Sequence, residues 1–223
     1  MNDSQVRSTD MVEVTDCLEA IGVFRVWKNL FAALLIAGLI VVQTFFWCLH
    51  QGWYEVKTIE NAADPNATSQ VIQQEVQEVN IIGRVAAEPK KWYAMTQEEI
   101  GRALNIINGV VLFSAFMYTL TLIFAMKVSI LGRFGGINHI CRAFYISLIL
   151  LVLLIPWQEI LRGYLVGAIY SYQDIQKGLA QQGEISIYLR FTMLWLVAFL
   201  LLIQAQSRTI RWARAILRRL EIL

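Results

Sequence analysis

The sequence predicts an all-α integral membrane protein: four transmembrane helices, both termini on the inner side, a first outer loop of roughly 55 residues and a basic amphipathic C-terminal helix. Three observations predict it. Of 223 residues, 57% are hydrophobic and only 16% charged, and mean hydropathy is +0.52. A soluble domain carries about 25% charged residues. Four apolar stretches approach the roughly 20 helical residues that a hydrocarbon core of about 30 Å requires. The alternating in–out pattern of a membrane barrel is absent.

Residues 1–29 form an inner arm. Its acids Asp3, Asp10, Glu13, Asp16 and Glu19 and the long apolar run that follows do not fit a cleavable signal, so the first span is expected to remain as an anchor. That span covers 30–49 (LFAALLIAGLIVVQTFFWCL), with Ala33 and Ala37 as its small-residue packing positions. The first outer loop, 50–105, is near the lower size limit for a self-standing core. Asp64-Pro65-Asn66 marks a turn, and 67–79 reads as a short polar helix. Asn66-Ala67-Thr68 is a glycosylation sequon of the kind common by chance. Thr96 and Glu99 have capping-box spacing, and no proline interrupts the chain from there to Met126. One helix is therefore expected to enter the second span, 106–126, from outside the membrane.

The inner loop, 127–142, is basic and contains Gly132, Gly135 and Gly136. It lacks the lysine–hydroxyl pair of a phosphate-binding loop and reads as a tight turn. The third span, 143–170, carries Pro156, expected to kink it. Gly163 and Gly167 follow with GxxxG spacing and predict close helix packing. An outer loop, 171–187, leads to the fourth span, 188–206. In the tail, 207–223, a helical wheel places Ile210, Ala213, Ile216, Leu217 and Leu220 on one face. Arg208, Arg211, Arg214, Arg218 and Arg219 fall opposite, with Trp212 at the boundary. Such a helix lies on an anionic leaflet, docks on a partner, or continues the fourth span.

Orientation follows from Lys and Arg. The arm, the inner loop and the tail hold eleven of the 19 basic residues in short segments; the other eight are dispersed among eleven acids in the two outer loops. The positive-inside rule then puts both termini in the cytoplasm.

Little of the sequence speaks for catalysis. His50 and His139 fall at opposite ends of spans, about 30 Å apart, which excludes a bis-histidine haem. Cys17, Cys48 and Cys141 form no Cys-x-x-Cys pair, so no metal or cofactor is expected. The first two spans contain no ionisable side chain. Polar character at the outer end of the third span, in Trp157, Gln158, Glu159 and Arg162, is the one candidate for a quinone or lipid-headgroup site. Outer-side aromatic residues such as Trp47, Trp53, Tyr164 and Tyr188 outnumber inner ones and suit protein contacts.

These features favour a non-catalytic subunit with a structural, assembly or scaffolding role in a larger membrane complex, partnered by lipids and other integral membrane chains. A net charge of +2 gives no basis for nucleic-acid binding. Alternatives are a redox-complex anchor that binds quinone or lipid near Glu159 and Arg162, and a small oligomeric channel or transporter using Gln43, Thr44, Asn105, Asn108, Ser114 and Thr119. The absence of paired loop cysteines fits a bacterial cytoplasmic membrane.

Overall fold

The structure, a computed structural model, describes residues 3–51, 97–132, 135–161, 167–181 and 187–220. Among them there is helix and no strand: α1 (Asp3–His50), α2 (Gln97–Leu131), α3 (Ile137–Leu154), the single turn α4 (Trp157–Ile160), α5 (Tyr172–Gln181) and α6 (Leu194–Leu220). A π-helical turn, Leu189–Met193, leads into α6. Four segments are long and apolar enough to cross a membrane: Leu18–His50, Glu98–Leu131, Ile137–Leu154 and Leu189–Arg218. The expected polar helix at 67–79, the sequon and Thr96 lie outside the described residues.

The long helices form a ring. Helix α1 packs on α2, α2 on α3 and α3 on α6, and α6 also meets α1. On α1 the buried stripe is Ala32, Leu35, Leu39, Val42 and Phe46, a 3–4 spacing that makes one helical face. Gly38 adjoins this stripe, and a Cβ there would strike the Val111 side chain, so α1 and α2 approach closely at that level. Ala33 and Ala37 were expected to pack, but both are exposed. The large side chains Leu35 and Leu39 set the buried face, and the two alanines lie out of phase with it. Facing α1, α2 and α3 across the core, α6 contributes Ala198, Leu202, Ala205, Trp212 and Ile216. On the outside of the ring, Phe113, Phe116, Ile149 and Leu200 are at least half exposed. That outward apolar surface is stable against lipid chains and costly against water.

Three boundaries differ from those expected. Arm and first span are one helix of 48 residues, about 72 Å long. The inner loop shortens to a few residues around Gly136, because α2 continues to Leu131 and α3 begins at Ile137. Gly136 has φ +88°, and a Cβ on it would lie 3.0 Å from the Ala215 Cβ of α6. Only glycine combines that left-handed turn with so close an approach.

The third difference matters most. Helix α3 stops at Leu154 and does not run to Tyr170. Pro156 has no N–H with which to continue the ladder. After the turn α4, the chain from Gly167 to Ser171 is non-helical and folds back, with the Ala168 N–H donated to the Leu153 carbonyl at 2.9 Å. Gly167 therefore belongs to no helix, and Gly163 lies outside the described residues. The close approach at Gly167 is to backbone: a Cβ there would collide with the Ile155 carbonyl oxygen. The tail is continuous with the fourth span, as α6 runs unbroken for 27 residues.

Candidate functional site

Non-helical backbone between apolar helices must have its N–H and C=O groups satisfied by protein. In residues 167–171 several of these groups are met by side chains of their neighbours. The buried amide of Gln158 accepts the Gly167 N–H at 3.0 Å and donates to the Ile169 carbonyl. Asn108, from α2, donates its Nδ2 to the Tyr170 carbonyl at 3.0 Å. The Tyr170 hydroxyl donates to the Val42 carbonyl of α1 at 3.2 Å. Trp157 donates its indole N–H to the Val152 carbonyl at 2.7 Å, covering the frayed end of α3.

Ser171 and Asp174 then start α5 with reciprocal bonds. The Ser171 N–H and hydroxyl donate to Asp174 Oδ2 at 3.1 and 2.9 Å, and the Asp174 N–H donates to Ser171 Oγ at 3.3 Å. This is a capping box with Asp in the acidic position. Asp174 also lies 3.7 Å from Arg190, which the π-helical turn presents while burying Phe191 against Phe46 and Tyr170. Burial raises the Tyr172 hydroxyl above its ordinary pKa, and the hydrogen bond from Gln176 opposes the shift.

These elements enclose a polar cleft of about 740 Å³ between the start of α2 and α5, lined by Glu98, Gly101, Arg102, Asn105, Gln158, Tyr172, Asp174 and Lys177 among others. Beneath it is a smaller pocket of about 230 Å³, lined by Asn105, Asn108, Gly109, Leu112, Pro156, Gln158, Ile169 and Tyr170. Asn105 and Gln158 belong to both. The first is in the size range of small-molecule sites and the second is below it.

Nothing among known protein families, curated proteins or solved structures matches the chain.

Of the residues expected at a quinone or lipid site, Gln158 lines the cleft, but two of its amide contacts are to backbone. Trp157 holds the end of α3 and does not line the cleft. The Glu159 side chain and Arg162 lie outside the described residues. Of the residues suggested for a pore, Asn105 and Asn108 reach the cleft and pocket. The others are dispersed: Gln43 donates to Thr192 Oγ1 at 3.4 Å, while Thr44 and Thr119 bond back to carbonyls of their own helices. Ser114 is buried, and its hydroxyl has no hydrogen-bond partner. Sequence reading missed Asp174, Lys177 and Arg102. The Ser171-x-x-Asp174 spacing was the available signal for the first.

His50 sits in an aromatic cluster, its ring 5.4 Å from Tyr188 and 5.8 Å from Phe46, and its Nδ1 is buried without a partner. Among the described residues no group of three or more His, Cys, Asp or Glu could hold a metal.

At the opposite end, where the arm meets the tail, Lys28 is buried and donates to Thr209 Oγ1 at 2.7 Å and Gln206 Oε1 at 3.0 Å. Trp212 donates its indole N–H to Ser129 Oγ at 3.0 Å. The buried face of the tail is thus Thr209, Trp212 and Ile216. Trp212, expected at the boundary, is central to this face, and Ile210 and Leu217 of the expected apolar face are exposed. Arg211, Arg214 and Arg218 are exposed, Arg208 is half-buried, and the Arg219 side chain lies outside the described residues.

Proposed function

We propose that the chain is a non-catalytic integral membrane subunit that holds together a larger membrane complex, in a bacterial cytoplasmic membrane with both termini in the cytoplasm. One observation carries this reading. At the end where the arm meets the tail, exposed apolar side chains on three helices stand among basic residues. Ile130 and Leu131 follow Lys127 and are 52% and 77% exposed. Ile210 and Leu217 follow Arg208, and Val23 precedes Arg25; each is about half exposed. Burying one such side chain is worth about 1.5–3 kcal/mol. An exposed apolar surface recurring on three helices among basic residues supports a partner interface at this end.

The exposed arginines among these residues favour an acidic partner surface and proximity to anionic lipid. Several polar side chains inside the ring support this assignment in another way, because they hold helices and backbone together. Gln158, Asn108, Trp195 and Trp212 all bond across elements.

The test is extraction in a mild detergent followed by native mass analysis. The expected species is a hetero-assembly containing this chain. A lone 25.5 kDa chain, recovered across several mild detergents and after crosslinking in intact membranes, overturns the proposal.

A further inference from the structure

Where the arm meets the tail, α1 and α6 each carry an exposed stripe, and the two stripes are complementary. On α1, Asp16, Glu19, Val23, Val26 and Leu30 recur at 3–4 spacing and are all exposed. That stripe is acidic at its end and apolar above. On α6, Ile203, Ile210, Arg214 and Leu217 form an exposed stripe, with exposed Arg218 beside it. It is basic at its end and apolar above. The stripes do not satisfy each other within one chain: the ion pairs among the described residues, Arg102–Glu98 and Arg190–Asp174, use none of these charges.

Bonds between the two helices set the relative depth of every residue on them. Lys28 donates to Gln206 and Thr209, the Leu39 carbonyl accepts the Trp195 indole N–H, and Gln43 donates to Thr192. The helices are therefore antiparallel, one residue down α1 answering one residue up α6. Leu18 and Ile216 pack in the same core cluster and carry this register to the end of the bundle. Leu30 then lies within a turn of Ile203 in depth, and Val26 lies level with Ile210. Glu19 falls between Arg214 and Arg218, and Asp16 is level with Arg218. A second copy crosses the membrane in the same orientation, so its α6 presents these residues at the same depths. We infer that the α1 stripe of one copy docks on the α6 stripe of another. Asp16 and Glu19 pair with the second copy's Arg214 and Arg218, and Val26 and Leu30 pack on its Ile210 and Ile203. This rests on the membrane-subunit reading above and names one occupant of its partner surface. An anionic leaflet would attract the arginines but repel Asp16 and Glu19 at the same depth. A second copy satisfies both signs at once.

The discriminating experiment reverses one stripe at a time. Two full-length copies with different tags are co-expressed and extracted in mild detergent; one tag is captured and the other is counted. Parent copies are expected to recover each other. Asp16→Lys with Glu19→Lys in both copies, or Arg214→Glu with Arg218→Glu in both, sets like charges together and lowers that recovery about tenfold. Co-expressing one copy of each kind restores it, because the lysine arm then meets the glutamate tail and the native acids meet the native arginines. All four positions are exposed, so the fold is retained. No mutual recovery of parent copies, recovery indifferent to both reversals, or a mixed pair no better than the like pairs overturns the inference. A single copy recovered inside a hetero-assembly overturns it too and leaves the subunit reading standing, whereas a lone monomer overturns both.

Discussion

The side-chain carbonyl of Gln158 accepts the backbone N–H of Gly167 at 3.0 Å, nine residues along the chain and across a break in the helix. With the bond from its Nε2 to the Ile169 carbonyl, one side chain substitutes for the ladder that Pro156 ended. Gln158→Leu removes both bonds and leaves two backbone groups unpaired among apolar side chains. Each such group costs about 1–3 kcal/mol. The variant is expected to lose about 2 kcal/mol or more, read as a lower unfolding temperature in detergent and faster proteolysis between Ile160 and Tyr172. A Gln158→Leu protein as stable as the parent would show that water or lipid satisfies those groups.

Gly136→Ala tests the turn between α2 and α3. A residue with a Cβ at φ +88° costs about 1–2 kcal/mol, and here the added atom also presses on Ala215. Gly22→Ala, on an open helical face, is expected to be neutral or slightly stabilising. Thermal melts of the two variants in one detergent give the comparison. Equal losses would mean that the turn is looser than its packing against α6 implies.

The tail separates folding from partner binding. Trp212→Ala removes a fully buried side chain and its bond to Ser129, at a cost of about 3–5 kcal/mol. Ile210→Ser with Leu217→Ser alters only exposed positions and is expected to leave the melting temperature of the isolated chain within about 1 °C while reducing recovery of co-purifying subunits. Unchanged recovery would remove the apolar tail face from the proposed interface.

Lys28 is buried, and its hydrogen bonds are to two neutral acceptors. Removing an acceptor leaves a buried ammonium short of a partner, whereas removing the charge itself relieves desolvation. Thr209→Val is therefore expected to cost about 1–3 kcal/mol, and Lys28→Met less. Chemical denaturation of both variants and of the double variant checks the order. If Lys28→Met is the more damaging, the ammonium makes a favourable contact beyond these two.

The proposed sidedness rests on the distribution of basic residues. In a variant without native cysteines, single cysteines at Asn66 and Gln181 are expected to react with an impermeant maleimide from outside intact cells. Cysteines at Asn138 and Arg214 are expected to react only after permeabilisation. External labelling at Asn138 would invert the orientation.

The sequence by itself determined the membrane class, the four apolar segments and Pro156 as the place where the third span departs from a straight helix, because hydrophobic length and a missing N–H are local properties; the sequence predicts a kink, and the structure ends the helix there. It also marked Gln158 as unusual for its setting. Which face of each helix is buried was decided only by the tertiary structure. A membrane helix is apolar toward both lipid and core, so periodicity carries little phase information, and Ala33 and Ala37 could not be distinguished from the true stripe at Leu35 and Leu39. The tail wheel could not show which of its residues the bundle buries, for a related reason. It separated arginine from aliphatic side chains, while packing selected Thr209, Trp212 and Ile216, since Ser129 offers Trp212 a hydrogen-bond acceptor and Lys28 donates to Thr209. The cleft needed long-range contact as well: Asn108 and Tyr170 are 62 residues apart, and only the chain reversal after Pro156 makes them neighbours.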